Sequence, residues 1–175
     1  FDDWVTDPDI HRDDLEAFVG DPSRIAQPYL GRYTVWTSSG SSGHRGIYVQ
    51  DDETLTVYDA LVAARFHAAP GGSPLSLLGT GRRLAMVTAT GGHYAGLVSW
   101  ERMRRVYPWT AKATRAFSVL SPVAELVDRL NAFQPAWLAS YPTTLLLLAD
   151  EARAGRLRLQ ARALWSGGET LTPGE

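Results

Sequence analysis

The sequence predicts an α/β fold in which a layered, mostly parallel sheet is flanked by helices. Helical and strand-like segments alternate through the second half of the chain, which is typical of parallel sheets. The strand-like segments are short apolar runs, as expected for buried strands. Two of these runs end at glycine pairs, the place where open α/β sheets bind ligands. A length of 175 residues suits a single domain.

Composition excludes several kinds of chemistry. The chain has no cysteine, which rules out disulfides, thiolate nucleophiles and cysteine metal sites. A net charge of −2 does not favour nucleic acid as a partner. The four histidines lie far apart, without zinc-ligand spacing: His11, His44, His67 and His93. Because no apolar run reaches the length of a membrane span and the first residues lack an export pattern, we expect a cytoplasmic protein without a membrane partner.

The first 29 residues are acidic and rich in turn formers. Asp7-Pro8-Asp9 predicts a helix start, and a short amphipathic helix follows over about residues 10–18, with Leu15 and Phe18 facing inward. The run Gly20-Asp21-Pro22-Ser23 ends this helix. We assign no chemical role to this segment.

A hydroxyl- and glycine-rich loop over residues 37–46 separates two predicted strands, at 32–36 and 47–50. Glycine permits close approach to the backbone, and successive N–H groups in such a loop can form a nest for an anion. Arg45 adds a guanidinium suited to phosphate. Each hydrogen bond to a charged group contributes roughly 1.5–3 kcal/mol, so a few of them could hold a triphosphate. The candidate phosphate-binding residues are Thr37, Ser38, Ser39, Gly40, Ser41, Ser42, Gly43 and Arg45.

The alternative interpretation of residues 37–46 is a plain flexible loop, because Ser/Gly-rich turns often serve only as connections. A Walker-type P-loop is excluded, since Arg45-Gly46 stands where Lys-Ser or Lys-Thr would be needed. No Gly-x-Ser-x-Gly elbow occurs in the chain, which argues against a serine hydrolase.

The segment after the loop predicts a helix over about residues 53–69, started by Asp51-Asp52 and ended by the Pro/Gly-rich run at 70–74. We interpret His67 as a surface or packing residue rather than a ligand. The expected inward face consists of Leu55, Leu61, Val62 and Phe66.

A buried strand is predicted over residues 82–90, and Gly91-Gly92-His93-Tyr94 follows it. A glycine pair after a buried strand is typical of a ligand site, so His93 and Tyr94 are candidates for a pocket wall. The alternative is a tight turn with one packed aromatic ring.

A basic cluster lies between residues 102 and 115. It fits a solvated helix face, and a phosphate contact is the alternative. The cluster consists of Arg102, Arg104, Arg105, Lys112 and Arg115. A short strand is expected over residues 117–120.

In the second half, Ser121-Pro122 predicts a helix start, with a hydroxyl N-cap and proline at the first helical position. Apolar residues at i, i+3, i+4 and i+7 give this helix a face toward the core: Val123, Leu126, Val127 and Leu130. Gln134-Pro135 ends it. Buried strands are predicted over residues 136–140 and 163–166.

The helix between these two strands is opened by Tyr141-Pro142, spans about residues 143–154 and stops at Gly155. The last strand runs into Gly167-Gly168-Glu169, so glycines again follow a strand. From the residues alone, Glu169 is interpreted as a charge at a helix N-terminus.

Four stretches carry a resemblance to a known superfamily. They are the loop 37–46, Asn131-Ala132-Phe133-Gln134-Pro135, Ser140-Tyr141-Pro142-Thr143-Thr144-Leu145 and Ser166-Gly167-Gly168-Glu169-Thr170-Leu171-Thr172. In this order and spacing they resemble motifs of adenylate-forming enzymes: the acyl-CoA synthetases, peptide-synthetase adenylation domains and luciferase. The closer match is to the phenylacetate–CoA ligase and coenzyme F-390 synthetase branch. The resemblance spans most of the chain, from about Val5 onward.

The resemblance implies an ATP-dependent carboxylate–CoA ligase that uses ATP, Mg²⁺ and coenzyme A. A small carboxylic acid attacks the α-phosphate of ATP, and a thiol then takes the acyl group from the acyl-adenylate. Loop residues 37–43 would carry the β- and γ-phosphates, and Arg45 would assist. Most relatives have lysine after the last loop glycine, whereas this chain has His44 and then Arg45. The residues implied to meet the adenine are Gly167, Gly168 and Glu169, and those implied for the acyl pocket are His93, Tyr94, Ser140, Tyr141 and Pro142.

The same resemblance predicts that this chain is an N-terminal fragment of one large domain, since family members are more than twice as long. The motif Tyr-Gly-x-Thr-Glu does not occur, so residues 1–175 alone are expected to be inactive. The alternatives are a non-catalytic nucleotide- or acyl-binding module and an interaction domain that keeps only the fold. An aromatic acid is compatible with the composition, and exposed sheet edges would favour a homo-oligomer.

Overall fold

The computed structural model describes residues 5–38, 45–68, 78 and 81–170. Within them lie the helices α1 (Arg12–Gly20), α2 (Asp52–Ala68), α3 (Ala95–Val106), α4 (Val123–Phe133) and α5 (Pro142–Arg153). The strands are β1 (Thr34–Thr37), β2 (Ile47–Gln50), β3 (Leu84–Thr88), β4 (Thr114–Ser118), β5 (Trp137–Ser140) and β6 (Ala163–Ser166). Two short 3₁₀ turns cover Pro22–Arg24 and Pro108–Thr110.

The architecture is α/β, with a parallel sheet flanked by helices, which confirms the predicted fold class. Four strands form this sheet in the order β4-β3-β5-β6, and every neighbouring pair is parallel. Strands β1 and β2 form a separate antiparallel hairpin around the hydroxyl-rich loop. The long connections between parallel strands carry α3, α4 and α5, as parallel pairing requires.

Both faces of the parallel sheet are covered, which explains why its central strands are continuous apolar runs. On one face, Leu84 of β3 and Trp137 of β5 pack with Trp100 of α3. On the other face, a cluster of β3, β4 and β5 residues packs with Leu130 of α4 and Leu148 of α5. Successive residues of a strand point to opposite faces, so each strand contributes to both clusters.

A third cluster joins the hairpin to the N-terminal segment. Leu15 and Phe18 of α1 are buried, as predicted, and pack with Tyr29 and Val35. The Phe18 and Tyr29 rings meet edge to face with centroids 5.3 Å apart. The hairpin therefore has its own apolar support, separate from the core of the parallel sheet.

The predicted inward face of α2 is wrong at Leu61, which is 57% exposed, whereas Leu55 is buried. Instead of packing along a broad apolar stripe, α2 is attached through mixed contacts. Its Tyr58 ring lies 6.0 Å from the ring of Trp36, and its Asp59 carboxylate pairs with Arg102 of α3 at 2.8 Å. The predicted helix-ending run at residues 70–74 lies outside the described residues.

The prediction that β6 is a buried strand is also wrong. Leu164 is 62% exposed and Ser166 is exposed, while Ala163 and Trp165 pack against the α3-side cluster. These side chains are exposed because β6 lies at the edge of the four-stranded sheet. An apolar run does not reveal whether a further strand or helix covers its outer face.

Three boundaries differ from the sequence predictions. β3 spans Leu84–Thr88 and is shorter than the predicted strand over residues 82–90. β4 begins at Thr114, three residues earlier than expected. The residue at the N-cap of α4 is Pro122, and no side chain caps this helix. Across the described ranges, no helix combines the length and hydrophobicity of a membrane span.

Leu130→Ala should lower the free energy of unfolding by about 2–5 kcal/mol, because truncation of a fully buried leucine leaves a cavity. Leu130 is 0% exposed, whereas Leu164 on the edge strand is 62% exposed. The matched control Leu164→Ala should change stability by less than about 0.5 kcal/mol. Urea unfolding followed by circular dichroism measures both, and equal losses would contradict the edge position of β6.

Candidate functional site

The strand order of the parallel sheet has a topological switch point between β3 and β5. From β3 the chain passes to β4 on one side, and it then returns to place β5 on the other side of β3. Open α/β sheets bind ligands outside the carboxyl ends of the strands at such a reversal. We call this region the carboxyl edge, comprising residues 88–94, 140–143 and 167–169 together with the base of the hydroxyl-rich loop.

Tyr141 ties the end of β5 to the end of β3. Its hydroxyl lies 3.1 Å from the hydroxyl oxygen of Thr88 and accepts the backbone N–H of Ala89 at 3.3 Å. The neighbouring Ser140 hydroxyl donates to the carbonyl of Val87 at 2.8 Å. Both hydroxyls that were predicted to line an acyl pocket are therefore bonded to β3, and Tyr141 presents its ring rather than a free donor. Pro142 is buried in the first turn of α5.

The glycines after β6 pass directly over Tyr141. The Gly167 N–H donates to the carbonyl of Ser140 at 3.2 Å. Gly168 has a φ of +86°, and a Cβ atom at this position would lie 2.9 Å from two ring carbons of Tyr141. Glycine is required here both for the backbone conformation and for the close approach to the ring.

Glu169 caps α5, as the residues alone indicated. Its carboxylate accepts the backbone N–H of Thr143 at 3.1 Å and the Thr143 hydroxyl at 2.9 Å. A carboxylate at a helix N-terminus also interacts favourably with the helix dipole. The segment after β6 is thus fastened to the start of α5. A contact of Glu169 with adenine stays a prediction.

The described part of the hydroxyl-rich loop is its base. The Ser38 N–H donates to the carbonyl of Gly46 at 3.0 Å, and the Gly46 N–H donates to the Ser38 hydroxyl at 2.9 Å. Arg45 is exposed. The Thr37 hydroxyl is buried and has no hydrogen-bond partner among the described residues. The remaining predicted phosphate-binding residues, Ser39, Gly40, Ser41, Ser42 and Gly43, lie outside those residues, as does His44.

The loop base is joined to the segment after β3. The Thr37 N–H donates to the carbonyl of His93 at 2.7 Å, and Thr37 pairs with Tyr94 in an isolated parallel bridge. Tyr94 is half-buried at the N-cap of α3. The side chain of His93 is 1% exposed and packs against Phe18, with ring centroids 5.2 Å apart. The alternative of a tight turn with one packed ring therefore describes His93 in this structure, and the pocket-wall role of both residues stays a prediction.

The basic cluster of α3 consists partly of residues with acidic partners. Arg102 forms a bidentate pair with Asp59 through both of its terminal nitrogens, whereas one terminal nitrogen of Arg104 donates to both carboxylate oxygens of Glu101. The guanidinium of Arg115 lies 4.8 Å from the centre of the Phe133 ring. These contacts favour the solvated helix face over a phosphate contact. Among the described residues, no group of three or more His, Asp and Glu side chains could hold a metal ion.

Sequence reasoning missed the partners that hold the site together. Thr88 was treated only as part of a buried strand, although a polar residue at the end of an apolar run could have indicated an edge contact. Phe18 was assigned to the N-terminal core without its contact with His93. Asp21, whose carbonyl meets the His93 ring, was treated only as a helix stop.

Comparisons with known proteins were made at three levels. No protein-family model and no curated protein matches the chain. The structure is similar to an open conformation of 2-hydroxyisobutyryl-CoA ligase in complex with 2-HIB-AMP and CoA, with a TM-score of 0.50 and 20% identity over 92% of this chain and 36% of that chain. A postadenylation-state structure of the same ligase with R3-HIB-AMP gives a TM-score of 0.46 and 21% identity, over 94% of this chain and 33% of that chain.

The chain therefore spans about a third of the length of the solved ligase. At this identity the first match shows a shared fold, that of part of an acyl-CoA ligase. The match concerns the fold alone. It does not support the narrower phenylacetate–CoA ligase branch.

Gly168→Ala should destabilise the protein more than Gly91→Ala does. Both glycines have a φ of +86°, so both variants incur the left-handed strain of about 1–2 kcal/mol. Only at Gly168 would the new methyl group collide with another side chain, whereas at Gly91 nothing lies within 4 Å. The free energy of unfolding should fall by about 1–3 kcal/mol more in Gly168→Ala than in Gly91→Ala, which is the usual cost of overpacking. Equal losses in chemical unfolding would contradict the contact with Tyr141.

Tyr141→Phe should lower the free energy of unfolding by about 0.5–1.5 kcal/mol, because it removes the hydrogen bonds to β3. A double-mutant cycle with Thr88→Val should show coupling, since the two hydroxyls are 3.1 Å apart. Tyr58→Phe is the matched control, because Tyr58 is 45% exposed and its loss should change stability little. Strictly additive losses of stability in the two single variants would contradict the hydrogen bond between the Tyr141 and Thr88 hydroxyls.

Proposed function

We propose that this chain is part of an ATP-dependent carboxylate–CoA ligase that forms an acyl-adenylate and then a thioester. The observation that carries the proposal is the meeting of separate segments at one carboxyl edge. The base of the hydroxyl-rich loop is bonded to His93, Tyr141 is bonded to Thr88, and Gly168 lies against Tyr141. The resemblance assigns these segments to phosphate, acid and adenine, which must lie close together for adenylation. The shared fold with an acyl-CoA ligase is compatible with this assignment.

In the proposed first step, a carboxylate oxygen of the acid attacks the α-phosphorus of ATP. The bond from that phosphorus to the bridging oxygen breaks, and pyrophosphate leaves with the electron pair. In the second step, the sulfur of coenzyme A attacks the acyl carbon and AMP leaves, while the thiol proton passes to solvent or a base. The residues of this chain contribute by holding the phosphates and aligning the reacting groups.

The described residues fit the groups that the reaction needs. The buried Thr37 hydroxyl at the base of the loop has no hydrogen-bond partner among the described residues, and we propose that it binds a phosphate oxygen. Gly167 and Gly168 are exposed and carry no side chains, and the Tyr141 ring covers one side of Gly168, so a flat base could approach this backbone from the side away from that ring. Among the described residues, no group of His, Asp and Glu side chains could hold Mg²⁺.

The acid and its surroundings are the finer part of the proposal. Tyr141 and Tyr94 would border the acyl group, and since the Tyr141 hydroxyl is bonded to β3, the ring would act as an apolar wall. Such a wall favours a small acid with an apolar or aromatic body, as in the phenylacetate–CoA ligase branch. A cytoplasmic location, self-association and the absence of nucleic acid and membrane partners remain predictions.

The rival proposals are a non-catalytic nucleotide- or acyl-binding module and an interaction domain that retains only the fold. The Thr37 hydroxyl, which has no partner among the described residues, favours the nucleotide-binding module over the interaction domain, because a buried donor without a partner is costly. A binding measurement with Mg-ATP distinguishes the nucleotide-binding module from the interaction domain. A catalytic assay distinguishes the module from the ligase.

The native full-length protein should bind Mg-ATP and exchange labelled pyrophosphate into ATP when an acid substrate is present. Gly43→Val should abolish both, since a side chain at a nest glycine blocks approach of the phosphates. Gly20→Val is the matched control, because nothing lies within 4 Å of the Cβ position at Gly20. Residues 1–175 alone should show no exchange. If the full-length wild-type protein binds Mg-ATP but does not exchange pyrophosphate, the result would support the non-catalytic binding module. If it neither binds nor exchanges, only the interaction domain would remain.

A further inference from the structure

We infer that His93 is a positioning residue for the candidate phosphate loop, acting through its backbone and a buried side-chain anchor; this inference rests on the proposed function. His93 was expected to wall the acyl pocket, but its side chain is 1% exposed. In this structure the side chain is enclosed by its neighbours, so we argue its role from the groups that it holds in place.

The side-chain anchor lies on the N-terminal segment. The Nε2 atom of His93 is 3.2 Å from the carbonyl oxygen of Asp21, and since a carbonyl only accepts, Nε2 donates. The ring also packs against Phe18, with centroids 5.2 Å apart. The Nδ1 atom is buried and has no partner among the described residues, so the bond to Asp21 is the polar contact that orients the ring.

The acceptor of this bond is itself held firmly. The Asp21 carboxylate accepts the N–H of Ser23 at 2.9 Å and the Ser23 hydroxyl at 2.7 Å, which caps the 3₁₀ turn. The Ser23 hydrogen bonds, assisted by the charge of Arg24, hold the pKa of Asp21 below its ordinary value. The Asp21 carbonyl also accepts the N–H of Arg24 at 3.1 Å. The anchor of His93 is therefore a capped turn rather than a free loop.

The backbone of His93 transmits this position to the loop. Its carbonyl accepts the N–H of Thr37 at 2.7 Å, and Thr37 precedes the paired Ser38 and Gly46 that close the loop base. The orphaned Thr37 hydroxyl lies on the same residue. Rotation of the His93 ring away from Asp21 would shift the carbonyl that fixes Thr37. Loss of the hydrogen bond between His93 and Asp21 should therefore weaken nucleotide binding and leave binding of the acid unchanged.

The test compares His93→Gln with His93→Asn in the native full-length protein. A glutamine side chain can place an amide N–H near the Nε2 position, whereas asparagine is one methylene shorter and reaches only the Nδ1 position. His93→Asn should raise the Kd for Mg-ATP about tenfold, the effect of losing one buried hydrogen bond, and His93→Gln should stay within about twofold of wild type. In the exchange assay with phenylacetate or 2-hydroxyisobutyrate as acid, the KM for the acid should be unchanged in both.

Three results would overturn the inference. Equal effects of asparagine and glutamine on the Kd would show that the bond to Asp21 does not matter, and a changed acid KM with an unchanged Kd would restore the pocket-wall role. Hydrogen exchange provides a readout independent of the reaction. The Thr37 and Ser38 amides should exchange faster in His93→Asn than in His93→Gln, and unchanged protection would also overturn the inference. If wild type binds no Mg-ATP, the proposed function fails, while the exchange comparison still decides the role of His93.

Discussion

The hydroxyl of Tyr141 is the contact on which the carboxyl edge depends. It joins β5 to the end of β3 through Thr88 and Ala89, at the point where the chain reverses across the sheet. The ring below that hydroxyl supports the turn at Gly168, and the next residue, Glu169, caps α5. Segments from three strands are thus arranged around one aromatic side chain. Because a tyrosine has only two rotatable side-chain bonds, this arrangement costs little conformational entropy for the contacts it gains.

The candidate phosphate loop belongs to a different packing unit from the parallel sheet. The hairpin rests on α1 through Leu15, Phe18 and Val35, whereas β3 and β5 belong to the two clusters that cover the sheet. The described links between the two units include polar contacts: Thr37 to the His93 carbonyl, the His93 ring to Asp21, and Arg102 to Asp59. The His93 ring also packs against Phe18 of the hairpin unit. A ligand that contacts both units would add to these links.

Sequence reasoning succeeded where local pattern and burial coincide, and failed where the outcome depends on distant neighbours. The strand at Leu84–Thr88 and the helix with Leu130 follow from apolar periodicity, because both faces of the sheet are covered. The exposure of Leu164 and Leu61 was missed, since an apolar residue does not indicate which neighbour covers it. Glu169 was interpreted as a charge at a helix N-terminus, but its partner Thr143 lies 26 residues earlier in the chain, so local position could not identify α5 as that helix. The bond between Thr88 and Tyr141 spans 53 residues and depends on the register of β3 and β5, which no single-sequence pattern specifies.

The contact between Gly168 and Tyr141 also constrains how this protein can evolve. A Cβ at position 168 would lie 2.9 Å from the tyrosine ring, so a side chain can be added at 168 only if the ring at 141 becomes smaller or moves. The reverse does not hold, because a smaller residue at 141 would leave the positive φ of Gly168 and its preference for glycine in place. Substitutions at the two positions are therefore linked in one direction, and a change at 141 has to come first.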